Sequence, residues 1–226
     1  MTPQVKVCCI ASVAEALAAA GAGAAALGLV SAMPSGPGVV ADAVIAQVAA
    51  ALRGQALRTF LLTSRTEAGA IASQHALLGS TTLQLVDRVP HEELRRLRRA
   101  CPGVELVQVI HVTGEASVDE AVAVAPLVDA VLLDSGNPAL AVKQLGGTGR
   151  VHDWGLSRRI RDAVHPLPLW LAGGLHADNV AQAIAAVQPH GLDLCTGVRS
   201  DGRLDAVKLG AFMAAVRAAA SPHHQA

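Results

Sequence analysis

Short runs rich in leucine and β-branched residues alternate along this chain with longer segments whose apolar positions recur at helical spacing. The runs are Val5–Ile10, Ala26–Ser31, Arg58–Ser64, Leu83–Asp87, Leu106–Val112, Ala130–Ser135, Leu169–Leu175 and Leu192–Val198. The helical segments that follow them are Ser12–Ala20, Asp42–Arg53, Thr66–Leu78, His91–Ala100, Ser117–Leu127, Asp153–Val164, Ala177–Gln188 and Asp205–Ala220. Ser12 with Glu15 and Ser117 with Glu120 have the spacing of capping boxes, in which hydroxyl and carboxylate satisfy orphan amides at a helix start. Gly21, Gly79 and Gly103 mark helix ends. Continuously apolar strands separated by helices imply a parallel sheet covered on both faces. Eight such units predict a single-domain (β/α)8 TIM barrel over residues 1–220, with 221–226 as a disordered tail; an open doubly wound sheet is the alternative.

The barrel reading locates function, because chemistry in this fold sits at the C-terminal strand ends and in the loops after them. Two of those loops are long, Ala32–Ala41 and Gly136–His152, and both are candidates for substrate covers. Cys8-Cys9 ends the first predicted strand, Thr63-Ser64-Arg65 the third, His111 the fifth and Asp134-Ser135 the sixth. Strand alternation places Lys6 and Cys8 on one face and Cys9 on the other, toward the helices. A carboxylate closing the apolar run Ala130–Leu133 is costly to bury unpaired, so Asp134 is solvated or used at the mouth. The seventh and eighth strands end in Gly173-Gly174 and Thr196-Gly197-Val198. Bare glycines admit a ligand to the backbone and helix-start amides favour an anion, so these two loops read as a phosphate cradle.

Composition narrows the partners. Eighteen Lys+Arg balance eighteen Asp+Glu, and aromatic residues are 2% of the chain. Neither the basic footprint nor the stacking platform of a nucleic-acid binder is present. The uncharged stretch Ala16–Val40 is too rich in Gly and Pro for a membrane span. Cys8, Cys9, Cys101 and Cys195 do not form a disulfide framework, which suits a reducing, cytoplasmic setting. The nine histidines show no metal spacing and no Gly-x-Gly-x-x-Gly follows the first strand, so no metal or cofactor is expected. The expected partner is a phosphorylated small molecule, bound by a monomer or homodimer.

Five ordered pieces resemble the phosphoribosylanthranilate isomerase family of tryptophan biosynthesis. They are Lys6-Val7-Cys8-Cys9-Ile10; Leu132-Leu133-Asp134-Ser135; Gly146-Gly147-Thr148-Gly149 with Asp153-Trp154; Leu171-Ala172-Gly173-Gly174-Leu175 with Asn179-Val180; and Gly191-Leu192-Asp193 with Thr196-Gly197-Val198. The resemblance implies a cofactor-free Amadori rearrangement, with Asp134 as acid, Cys8 as base, and phosphate held by Gly173, Gly174, Gly197 and Val198. Lys6 is placed to favour a Cys8 thiolate. Lys6, Arg65, Gln84 and Asp193 are candidate substrate contacts, and Arg199 adds charge at the phosphate.

Departures from the family pattern cluster on one side. Cys9 replaces a glycine. Gly38 stands where the family's Ser-Pro-Arg loop carries the arginine that meets the anthranilate carboxylate, and no arginine occurs before Arg53. Ser64, Val86-Asp87 and Arg199 are further departures. The expected activity is therefore conversion of N-(5'-phosphoribosyl)anthranilate to the 1-deoxyribulose 5-phosphate product with an altered amine grip. The alternatives are the same chemistry on another amino-phosphosugar, or a non-catalytic phospholigand-binding barrel. An unrelated phosphosugar aldolase would need a Schiff-base lysine at a strand end, and Lys6 is the one strand lysine.

Overall fold

The computed structural model describes residues 2–136 and 151–220. The predicted tail, the Gly146–Gly149 motif and most of the long sixth loop lie outside these residues. Eight parallel strands, β1 (Gln4–Val7), β2 (Ala26–Val30), β3 (Arg58–Thr63), β4 (Thr82–Leu85), β5 (Glu105–His111), β6 (Ala130–Asp134), β7 (Leu169–Leu171) and β8 (Gly191–Leu194), form a closed barrel. Closure is made by β1 on β8, with Lys6 opposite Asp193 and Val7 opposite Leu194. The alternative open sheet is thereby excluded.

The helices α1 (Val13–Gly21), α2 (Asp42–Ala51), α3 (Ala68–Leu78), α4 (His91–Ala100), α5 (Ala116–Val124), α6 (Trp154–Val164), α7 (Val180–Val187) and α8 (Ala206–Ala220) surround it. Before α8 come a 3-10 turn at Thr196–Val198 and two short antiparallel strands, β9 (Arg199–Ser200) and β10 (Arg203–Leu204). Because side chains alternate along each strand, the core splits in two. Outward residues such as Val7, Leu61, Leu133 and Leu192 pack under the helices, while Phe60, Val107, Leu132 and Trp170 fill the barrel. Phe60 and Trp170 meet edge to face at 5.5 Å. No helix among the described residues is long and apolar enough to cross a membrane.

Several local expectations shift. Ser12 does cap α1, its hydroxyl accepting from the Glu15 amide at 3.2 Å, but the Glu15 carboxylate accepts from the Ala11 amide instead of the Ser12 amide. Ser117 is not a cap. It lies inside α5, buried, donating to the His111 carbonyl and accepting from the Thr113 amide, both at 3.1 Å. Helix α7 opens at Val180, three residues past the predicted Ala177. The strands also end earlier than predicted, since the residues beyond Val7 and Leu171 leave the ladder to build the mouth.

Candidate active site

At the C-terminal end of the barrel is a partly open cleft. Cys8 and Cys9 line it from the end of β1, Val30 from β2, Leu62 from β3, Gln84 from β4, Asp134 from β6 and Asp193 from β8. Loop two contributes Met33, Gly36 and Pro37, loop seven Ala172–Leu175, and loop eight Cys195 and Thr196. The expected acid and base therefore face one space. Gln84 and Asp193 are buried beside it, each with a side-chain oxygen (Oε1 and Oδ1) that has no hydrogen-bond partner among the described residues.

Cys8 sits one residue past the β1 ladder, its amide still donating to the Leu194 carbonyl at 2.8 Å. Burial pushes its thiol up to about 11, with Lys6 pulling in the opposite direction. The lysine acts as expected of a thiolate partner, and desolvation outweighs it. Lys6 is fully buried, with Nζ 2.8 Å from Asp193 Oδ2. Burial works against its charge, but Asp193 and Cys8 together hold its pKa above the ordinary value. Burial likewise raises the Asp134 carboxyl, against the Ser135 amide that donates to its Oδ1 at 2.7 Å. Burial thus favours the proton-carrying form of both groups, and the Lys6 ammonium opposes this at the Cys8 thiol.

Cys9 corrects two expectations. It does not face the helices, because its backbone is left-handed (φ 63°) and turns the side chain into the mouth. Nor is it a free thiol: it is disulfide-bonded to Cys195. Chain separation hides this pairing, whereas barrel closure places the end of β8 beside the end of β1. Loop two lies against Cys9, so a Cβ added at Gly38 would collide with the Cys9 side chain.

The two Gly-rich loops meet. Gly173 and Gly174 both adopt positive φ, at 86° and 62°. Their amides have no acceptor among the described residues. The turn is held by Asn179, whose Oδ1 accepts from the His176 amide and whose Nδ2 donates to the Gly174 carbonyl, both at 2.9 Å. Gly197 packs so closely on the Leu175 carbonyl that no side chain fits there. Val198 is buried under the helices, and its amide donates to Cys195 at 3.4 Å.

Several predicted contacts lie off the cleft: Lys6, fully buried against Asp193, does not line it, nor do Gly197 and Val198, and two arginines lie elsewhere. Arg65 is exposed and does not line the cleft. Arg199 is directed away from the cleft. Its guanidinium pairs with Glu15 at 3.1 Å and donates to the carbonyls of Cys8, Cys9 and Gly202. It clamps the end of β1 from outside, a role the sequence hides because Glu15 is 184 residues away.

A model of the family described as N-(5'-phosphoribosyl)anthranilate (PRA) isomerase matches residues 5–215. The chain belongs to this isomerase family. A relative bearing that name from Thermosynechococcus vestitus is 35% identical over 197 residues, covering 87% of this chain and 81% of the relative. Among solved structures, the phosphoribosyl anthranilate isomerase of Thermotoga maritima superposes with a TM-score of 0.81 at 24% identity, covering 96% and 99% of the two chains. Another isomerase structure, in complex with reduced 1-(O-carboxyphenylamino)-1-deoxyribulose 5-phosphate, gives 0.78 at 22%, covering 96% and 99%.

Proposed function

We propose that this chain isomerises N-(5'-phosphoribosyl)anthranilate to the 1-deoxyribulose 5-phosphate product, a phosphorylated small molecule handled in the cytoplasm. The observation that carries this reading is the convergence of Cys8 and Asp134 on one cleft beside the Gly173–Gly174 turn. Asp134, whose carboxyl burial pushes toward the protonated form, gives its proton to the ring oxygen as the sugar opens to an iminium. Cys8 takes the proton from the second sugar carbon in its thiolate form, the minor form at neutral pH because burial raises the thiol and Lys6 only partly offsets this, leaving an enolamine that tautomerises to the ketose. Each group supplies roughly 100- to 10,000-fold in rate. The free amides of Gly173 and Gly174, with loop eight against them, grip the phosphate. Gln84 and Asp193 offer acceptors to the sugar hydroxyls.

Turnover is followed by loss of substrate fluorescence. Activity no greater than that of a Cys8→Ser control, in pure folded protein, overturns the proposal. A second reading, the same chemistry on another amine, draws on one observation. Among the described residues the wall formed by Val30, Met33, Leu62 and Pro37 carries no cation for an anthranilate carboxylate. Losing a bidentate arginine from such a contact costs on the order of 1.5–3 kcal/mol. Turnover of a decarboxylated analogue as fast as the carboxylated substrate would favour this second reading.

A further inference from the structure

The cystine in the cleft wall is unused by the chemistry above. Cys9 sits on the turn that carries the base, and Cys195 opens the loop that carries part of the phosphate cradle. Both sulfur-bearing residues line the substrate cleft, next to Met33 of loop two. Cys9 adopts a left-handed backbone that a non-glycine residue disfavours, and such strain collects at functional sites. Its surroundings also suit the unbonded form, since Cys9 Sγ lies 3.6 Å from the Pro37 carbonyl, an acceptor for a thiol proton.

We propose that Cys9 and Cys195 are a reversible redox pair built into the substrate cleft, whose bonded form fixes a sulfur-lined wall against the aromatic amine end of the substrate. This rests on the isomerase reading for the identity of that ligand. Sulfur packs favourably on aromatic rings, and with no aromatic side chain lining the cleft among the described residues the cystine and Met33 take that place. In closing, two thiols give two electrons and two protons to a hydroperoxide, whose O–O bond breaks to yield an alcohol and water. In opening, a dithiol attacks Cys195, the more exposed sulfur, and Cys9 leaves as a thiolate that takes a proton. The reagent's second thiolate then closes its own disulfide and releases Cys195.

Opening the bond leaves the barrel and the phosphate cradle in place. The Cys8 amide still bonds Leu194, Arg199 still holds the Cys8 and Cys9 carbonyls, and Gly197 still packs on Leu175. The change is confined to the amine side. Reduction with dithiothreitol is expected to raise KM and weaken anthranilate binding by roughly two- to tenfold. kcat and the inhibition constant of inorganic phosphate stay the same.

The test begins with the full-length protein treated with hydroperoxide and then with dithiothreitol. Peptide mapping of the oxidised form should find Cys9 joined to Cys195, with Cys8 and Cys101 free. A cross-link through Cys8, or no cross-link, overturns the proposal whether or not the protein is an isomerase. Anthranilate binding by calorimetry, which needs no turnover, is then compared in the two states. Cys195→Ser should bind as the reduced protein does and lose the redox response, and Cys9→Gly should lose the response even if the serine variant fails to fold. Cys101→Ser should keep it. Equal anthranilate affinity in the oxidised and reduced wild-type protein overturns the wall, and a phosphate affinity that moves equally overturns its confinement to the amine side.

Discussion

The two ends of the barrel handle buried polar groups in opposite ways. At the N-terminal floor the half-buried charged groups satisfy one another, although the buried Trp170 Nε1 has no hydrogen-bond partner among the described residues. Arg58 reaches both oxygens of Glu105 at 3.2 Å and bonds Gln4, Thr82 donates to Glu105 at 3.0 Å, and the guanidinium lies 5.1 Å from the centre of the Trp170 ring. At the mouth, Gln84 Oε1 and Asp193 Oδ1 have no partner among the described residues, and burial raises both Cys8 and Asp134. Buried polar groups without partners cost stability, and proteins keep them where a ligand will supply the missing bonds. The floor pairs its charges, while the mouth keeps two buried acceptors open.

The sharpest way to break this contrast is to mutate the mouth. Cys8→Ser and Asp134→Asn should each lower kcat by roughly 100- to 10,000-fold while leaving the thermal midpoint nearly unchanged. The raised thiol gives a second check. Alkylation of Cys8 by iodoacetamide, followed on its own peptide, should speed up about tenfold per pH unit through the neutral range, because the thiolate fraction rises that way below a pKa of about 11. A rate already level near neutrality would show that Lys6, not burial, governs the sulfur.

The floor should answer inversely. Glu105→Ala leaves the Arg58 guanidinium without its carboxylate and should cost about 1–3 kcal/mol of stability by urea unfolding. For a chain of this size that lowers the midpoint by roughly 2–4 °C per kcal/mol. kcat should hold within about twofold, since no floor residue lines the cleft. A large loss of turnover would mean that the two ends are coupled through Phe60 and Trp170.

Between these extremes lies the pair that the family pattern makes interpretable. Cys9 stands where relatives resembling this chain have glycine, and Gly38 where they have arginine. In the structure the Cys9 side chain occupies the space that any side chain at 38 would need. The two departures from the family pattern therefore meet in space. Gly38→Ala should destabilise the wild-type protein more than a Cys9→Gly protein, with a coupling of about 1–2 kcal/mol in a double-mutant cycle. Additivity would separate the two departures.

What the sequence reveals follows from how local each signal is. The eight units, the mouth and the convergence of Cys8, Asp134 and Gly173–Gly174 are legible because periodicity and strand ends are read within a few residues. The roles of Cys9 and Arg199 are not, because both arise from closure. Cys195 is 186 residues from Cys9, yet becomes its neighbour once β8 pairs with β1. The alternation rule misplaces Cys9 for a different reason: it holds only while the backbone stays extended, and Cys9 does not. Ser117 has the capping spacing but is drawn into the helix by the His111 carbonyl, a tertiary partner overriding a local preference.

The smallest expected effect concerns the clamp outside the seam of β1 and β8. Glu15 is mostly buried, and burial alone would raise its carboxyl. The amides of Leu204 and Ala11 and the Arg199 guanidinium reverse this and hold it below the usual carboxylate range. A carboxyl whose folded pKa is lowered binds protons more readily in the unfolded chain, so its contribution is present above the unfolded pKa and is lost as pH falls through the folded one. Thermal stability of the wild-type protein should therefore drop more steeply than that of Glu15→Gln between about pH 5 and about pH 3. The variant, lacking the titrating group, starts lower and converges on the wild type in acid. Parallel curves would show that Arg199 is held by the Cys8, Cys9 and Gly202 carbonyls without the carboxylate, and that the Cys8–Cys9 turn is fastened without help from α1.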